Sequence, residues 1–157
     1  MGTEIERKFL VRHTNMLANV TGTELSQGYL SHTPEATVRV RIQADQAWLT
    51  VKGRNDGARR AEFEYPIPVE DARALLALCP AGRIEKTRYR LPMAGHIWEV
   101  DVFHGDNDGL IVAEVELDHE DEAIQPPDWL GEEVTGDVRY YNSALSQHPY
   151  RHWSASD

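Results

Sequence analysis

The chain is short of cysteine, of lysine, of positive charge and of long apolar runs, and each shortage excludes something. Its one thiol, Cys79, leaves no partner for an internal disulfide. Sitting behind Ala-Leu-Leu-Ala-Leu, it reads as a buried helix-end group rather than a nucleophile. No stretch is apolar for long enough to span a bilayer as a helix, and the first residues lack the apolar centre of a secretory signal. A soluble, cytoplasmic protein is the expectation. Acids outnumber bases 26 to 16, giving a formal net charge of −10 at pH 7, so nucleic acid and acidic membranes are repelled at long range. Any anion bound here has to be gripped locally. The 157 residues suit one domain with a real core, expected over residues 1–147, with a fraying tail at 148–157.

Of the sixteen basic residues only Lys8, Lys52 and Lys86 are lysine. Each lies inside an alternating segment rather than on a helix surface, a placement that suits a compact, rotatable ammonium better than a planar fork.

Alternation dominates the rest. Over residues 3–10, an extended chain puts Glu4, Glu6 and Lys8 on one face and Ile5, Arg7 and Phe9 on the other. Residues 37–42 set Arg39 and Arg41 against Val38, Val40 and Ile42, and 48–53 carry Lys52. Residues 60–67 carry Glu62 and Glu64, 84–91 carry Lys86, Arg88 and Arg90, 96–103 carry Glu99 and Asp101, and 109–117 carry Glu114 and Glu116. Residues 25–30 read as a further strand. The one long helix signal is 69–79, with acids in its first turn and Pro80 as its stop, and a shorter helix begins at Tyr141.

About eight strands with one charged face fit a closed antiparallel barrel. The expected class is α+β: an eight-stranded antiparallel β-barrel with a few covering helices. Two arrangements satisfy the pattern. Apolar side chains turned inward give a filled barrel with a charged exterior; turned outward beneath helices, they leave a hydrated, charged tunnel. A bore of this size holds one small ligand. Cations together with carboxylates suit a phosphate chain with bound metal, because bases neutralise phosphate oxygens while acids hold hard divalent cations that bridge to them.

Read in order, these segments resemble the CYTH, or triphosphate tunnel metalloenzyme, superfamily. Glu4-x-Glu6-x-Lys8 is similar to its signature, followed by Gln27-Gly28-Tyr29-Leu30, Val38-Arg39-Val40-Arg41, Thr50-Val51-Lys52-Gly53 and Arg60-x-Glu62-x-Glu64. Lys86-x-Arg88-x-Arg90, Glu99-x-Asp101, Glu114-x-Glu116 and Arg139-Tyr140-Tyr141-Asn142 continue it, so the resemblance spans nearly the whole chain. It implies an eight-stranded tunnel with a charged interior that binds a triphosphate with Mg²⁺ or Mn²⁺. By position, Lys8, Arg39, Arg41, Lys52, Lys86 and Arg88 would grip phosphate oxygens. Glu4, Glu6, Glu114 and Glu116 would carry metal, supported by Asp101, Glu62 and Glu64. Lys52 and Tyr29 would form a catalytic pair with Glu4 and Glu6 beside them. Small bacterial members resemble inorganic triphosphatases, which makes hydrolysis of tripolyphosphate the leading reading. A thiamine or nucleoside triphosphatase, a class IV adenylyl cyclase and a non-catalytic polyphosphate or nucleotide sensor are the rivals. The oligomeric state is left open.

Other features read as structure. The seven histidines lack zinc-ligand spacing. Asp106-Asn107-Asp108-Gly109 lacks the frame of a calcium loop and reads as a turn. Arg54, Arg59 and Arg60 form a basic cluster near one tunnel mouth.

Overall fold

A computed structural model describes residues 2–80 and 82–153. The alternating segments become β1 (Thr3–Val11), β2 (Thr23–Ser31), β3 (Ala36–Gln43), β4 (Gln46–Gly53), β5 (Arg59–Ile67), β6 (Ile84–Met93), β7 (His96–Phe103) and β8 (Ile111–Glu116). A short β9 (Leu130–Glu133) and helices α1 (Val69–Leu78) and α2 (Asn142–Gln147) complete the regular structure. The sheet runs β5-β4-β3-β2-β6-β7-β8-β1-β9, and an added β5–β1 pairing closes β1 to β8 into the expected eight-stranded antiparallel barrel.

β1 is the seam. One edge takes β8 along Glu6 to Leu10. The other takes β5 only at Thr3 to Ile5, then β9 at Phe9 and Val11, with a register shift between those two. Because the β1–β5 contact ends so early, most of β5 has only β4 beside it. Pro66, which cannot donate to a ladder, falls in that half-paired stretch.

Apolar side chains gather in three clusters, two of them on the outside of the barrel. α1 lays Ala72 and Leu76 on Val40 and Ala47. Gly28 permits this approach, since a Cβ there would meet Cys79 Sγ at 2.9 Å and Leu76 at 3.1 Å. Cys79 is a half-buried free thiol whose pKa is raised by burial, in keeping with an inert helix-end group. Over β1, β7 and β8, Trp98 and Trp129 meet edge-to-face at 5.7 Å beside Phe9, Val100 and Val115.

The third cluster lies inside one end of the barrel. Ile84, Phe103 and Val112 share their strands' inward faces with Lys86, Asp101 and Glu114, and they pack with Leu110, Tyr140 and Leu145 of the C-terminal segment. That end is therefore plugged by hydrocarbon. Residues 148–153 of the tail expected to fray are held by the same cluster: Trp153 stacks edge-to-face on Tyr140 and Tyr150, and the Tyr150 amide donates to Asn107; the rest of that tail, 154–157, lies outside the described residues. Among the described residues no helix is long and apolar enough to cross a membrane.

Strand register decides which residues share the bore, because a one-residue slip would turn a whole strand inside out. The β6–β7 hairpin sets its register through a two-residue turn with Ala94 at φ 52° and Gly95 at φ 83°, the left-handed pair of a type I′ turn. Alanine is costly there and asparagine is favoured. Ala94→Asn should stabilise the protein by about 0.5–1 kcal/mol, read as a higher denaturant midpoint with an unchanged m-value.

Candidate active site

The inward faces enclose a polar cavity of about 310 Å³. Of the residues expected to form the site, Glu4, Glu6, Lys8, Tyr29, Arg39, Arg41, Lys52, Glu62, Glu64, Lys86, Arg88, Glu114 and Glu116 all line it. Arg90, on the same face by alternation, is exposed and reaches only to 3.9 Å from Glu99. The arginine cluster divides: Arg54 pairs with Glu35 and Arg59 with Glu120, whereas Arg60 lines the cavity over the Tyr141 ring.

Near the plugged end the walls are cationic. Lys86 Nζ lies 2.8 Å from Asp101 Oδ2, with both side chains 1% exposed. Arg88 closes a fork on the same carboxylate, Nε to Oδ1 at 2.7 Å and Nη2 to Oδ2 at 2.9 Å. Arg41 Nε donates to Gln27 Oε1 (2.9 Å), and Arg39 Nη2 donates to Thr50 Oγ1 (3.2 Å) and Glu64 Oε2 (3.5 Å). Lys8 Nζ donates to the Tyr140 carbonyl at 3.3 Å. Towards the open mouth the walls turn acidic, with Glu62, Glu64, Glu99 and Glu116 all more exposed than the cations behind them. Lys52 Nζ sits among these acids, donating to Glu4 at 2.8 Å and lying 3.4 Å from Glu62.

Proton affinities follow from this layering. Burial, reinforced by Arg88 and Arg41, pulls Lys86 down to about 7 against the opposing pull of Asp101. Burial pulls Arg41 down to about 9, helped by Arg39 and Arg88. Burial alone would raise Asp101, yet Arg88 and Lys86 outweigh it and hold the carboxyl well below its ordinary range. Likewise burial and Asp101 would raise Glu114, yet Lys8, Arg88 and Lys86 outweigh them and bring it to about 2. Glu6 goes the other way. Burial, then Glu114 and Glu4, push it well above the usual carboxylate value, and Lys52 and Lys8 only partly offset them. Burial and Glu4 raise Glu116 as well.

Two features bear on ligands. Arg39 Nε is buried in the cavity wall and has no hydrogen-bond partner among the described residues; a buried, unpaired guanidinium donor is costly unless an acceptor reaches it. Glu6 and Glu116, raised by burial and by neighbouring acids, are oxygen donors short of positive charge beside Glu4 and Glu114, which fits a hard divalent cation. Among the described residues no three carboxylate, imidazole or thiol groups are already gathered into a cage, so ligand oxygens would have to complete the coordination.

Asp101, expected to support a metal, instead has both oxygens occupied by Arg88 and Lys86 and does not line the cavity. The Lys52–Tyr29 pair is also rearranged: Lys52 is taken up by Glu4 and Glu62, and the Tyr29 hydroxyl accepts from Gln27 Nε2 at 3.4 Å. Neutral side chains that charge patterning does not flag do much of the orienting. Gln27 and Thr50 are wholly buried, and Asn142 Oδ1 accepts from both Lys86 Nζ (2.9 Å) and Gln27 Nε2 (3.2 Å).

A closed antiparallel barrel with cations behind acids in its bore defines a polyanion-binding tunnel. The chain belongs to the CYTH domain family, whose profile matches residues 2–146. It is 46% identical over 154 residues to an inorganic triphosphatase of Acetivibrio thermocellus, covering 98% of this chain and 99% of that protein. It is 42% identical over 149 residues to an inorganic triphosphatase of Nitrosomonas europaea, covering 92% and 97%. The crystal structure of an inorganic triphosphatase superposes with a TM-score of 0.67 at 39% identity, covering 90% of this chain and 96% of that one.

The Lys86–Asp101–Arg88 arrangement makes a specific demand on stability. Asp101→Asn leaves two buried cations without their counter-ion and should cost about 3–5 kcal/mol at pH 7. The folded-state pKa of Lys86 lies below its unfolded value, so the penalty of keeping it charged is full at low pH and relieved as pH rises through the folded pKa. Losing Asp101 lowers that pKa further, so the loss should shrink between pH 5 and pH 8 in urea melts. An Asp101→Asn protein as stable as wild type at both pH values would contradict this assignment.

Proposed function

We propose that this chain is a metal-dependent inorganic triphosphatase that hydrolyses tripolyphosphate held in the bore. The observation that carries the reading is the cation wall of Lys8, Arg39, Arg41, Lys86 and Arg88, with its unpartnered Arg39 Nε, sharing the bore with Glu6 and Glu116, which burial and neighbouring acids push above their usual range. Full-length relatives named inorganic triphosphatases support it.

The side chains divide the work by their surroundings. Arg39, Arg41 and Lys8 rest on neutral oxygens or on exposed Glu64, so much of their charge is left for phosphate oxygens. Arg88 and Lys86 grip the chain while Asp101 fixes their orientation. Glu4, Glu6 and Glu116 are the groups that would hold Mg²⁺ or Mn²⁺, with Glu114 behind them. A divalent ion bound there supplies charge neutralisation on bridging phosphate oxygens and acidifies a water. Glu62 restrains Lys52 and Glu64 restrains Arg39, which makes both acids positioning groups. Lys52, at the mouth between Glu4 and Glu62, carries a proton at Nζ that can stabilise the leaving oxygen. Tyr29, on the wall formed by β2, offers its hydroxyl to the phosphate chain. Positioning and charge stabilisation of this kind account for most of the catalysis of phosphoryl transfer.

A second reading, an organic triphosphate as substrate, is favoured by one observation. A less polar groove of about 510 Å³ adjoins the bore, sharing Thr37, Arg60 and Tyr141 with it and adding Pro34, Val138 and Ala144. One screen separates the readings: tripolyphosphate, ATP and thiamine triphosphate, each with Mg²⁺ or Mn²⁺, with every product identified. Orthophosphate released fastest from tripolyphosphate is expected, and cyclic AMP with pyrophosphate from ATP would establish a cyclase instead. Glu4→Gln and Glu116→Gln should each lower metal-dependent turnover roughly 10²–10³-fold. Full activity in both would overturn the carboxylate assignment.

A further inference from the structure

Three consecutive residues of the C-terminal segment touch cations of the bore. The Tyr140 carbonyl accepts from Lys8, the Tyr141 ring lies 5.6 Å from Lys8 Nζ and 5.9 Å from the Arg60 guanidinium, and the Asn142 amide oxygen accepts from Lys86. Asn142 reaches furthest. Its Oδ1 also accepts from Gln27 Nε2, and Gln27 Oε1 in turn accepts from Arg41 Nε. One oxygen thus joins two cations on different strands, Lys86 on β6 and Arg41 on β3, at the boundary between the hydrocarbon plug and the charged bore. The segment is anchored from below by Tyr140 and Leu145 in the plug, so Asn142 is fixed by packing as well as by its bonds.

We propose that Asn142 is a positioning residue for triphosphate hydrolysis, its side-chain oxygen holding Lys86 directly, and Arg41 through Gln27, where the phosphate chain meets them. The inference rests on the triphosphatase reading for its consequence, but not for its geometry. A neutral acceptor suits this position. A carboxylate would cancel the charge that the ligand needs, whereas an amide oxygen orients an ammonium and leaves its charge in place. The remaining charged groups around Lys86 are Asp101 from β7, Arg88 on its own strand, Arg41 from β3 and Glu114 from β8, and the Phe103 ring lies 5.3 Å from Nζ. Asn142 is the one uncharged side chain that hydrogen-bonds the ammonium among the described residues.

The shortage of lysine makes a direct test practical. With ¹³C-labelled lysine the protein gives ε-methylene signals from three side chains, and Lys86→Arg assigns the one of interest. An acceptor bonded to the ammonium favours its charged form. In Asn142→Ala the Lys86 midpoint should fall below that of wild type, and kcat/KM for tripolyphosphate should fall roughly 10-fold. In Asn142→Asp, which keeps the acceptor and adds a charge, the midpoint should rise. If Asn142→Ala lowers only the melting temperature, leaving the Lys86 titration and kcat/KM at wild-type values, the residue is merely structural and the proposal fails. Should Asn142→Ala not fold, the aspartate variant decides alone, an unmoved midpoint overturning the proposal. A wild-type protein that does not hydrolyse tripolyphosphate would defeat the proposed function. The lysine titration would still judge whether Asn142 governs Lys86.

Discussion

Charge placed inside a closed barrel has to be balanced there, because an unpaired ion removed from water costs several kcal/mol even after the protein relaxes. Antiparallel register supplies the balance. Arg88 lies directly opposite Asp101 across β6 and β7, and Lys52 lies opposite Glu62 across β4 and β5. Each pairing joins adjacent strands of the ring, so neutralisation inside the bore and closure of the barrel are a single requirement. Lys86 is the exception. Its cross-strand neighbours are Leu25 and Phe103, and it reaches diagonally to Asp101, already committed to Arg88. That shared counter-ion explains why burial loosens the proton of Lys86 while Asp101 stays ionised.

The cations of the bore are consequently of two kinds. Lys86 and Arg88 are tied to a carboxylate and fixed in place. Arg41 rests on an amide and Lys8 on a carbonyl, bonds that orient without neutralising. A site built wholly from the first kind would be stable and indifferent to anions; one built wholly from the second would pull the barrel apart by self-repulsion. The hydrocarbon plug of Ile84, Phe103, Val112 and Leu145 adds the third constraint. It closes one end, so a ligand must enter past the acids to reach the cations.

Much of this was legible in the sequence, and the part that was not has a physical reason. Period-two alternation in β1, β3, β6, β7 and β8 identifies which residues share a face, because neighbouring side chains must take opposite faces whatever the partner strand. Register between strands leaves no such trace. Asp101 shares a face with Glu99 and so resembled a metal-supporting acid, and only its position opposite Arg88 shows it to be a counter-ion. Gln27, Thr50 and Asn142 escaped because neutral hydrogen-bonding residues in strands and short helices look like ordinary polar positions. The packing of residues 148–153 leaves little trace for a related reason. Trp153 stacks on both Tyr140 and Tyr150, tertiary contacts that the polar composition around them conceals.

The layering also governs how the two ligands of the proposed reaction affect each other. A triphosphate entering alone would be drawn to Lys86, Arg41 and Arg39 but would pass Glu4, Glu6 and Glu116, two of which burial and then neighbouring acids already raise. A divalent cation entering alone would satisfy those acids yet face the cation wall behind them. Each ligand removes the field that opposes the other, and such coupling is reciprocal by thermodynamic necessity. Lys52 occupies the junction, its ammonium standing between Glu4 and Glu62 where negative charge is densest. In the ligand-free protein it partly neutralises the acids at the mouth, and a metal on Glu4 would free that ammonium to face phosphate. The same electrostatics explain why a chain with a net charge of −10 can serve a polyanion. Its excess of acid lies on the exterior and at the mouth, screened by water and salt, while the attraction acts over hydrogen-bond distances inside the bore.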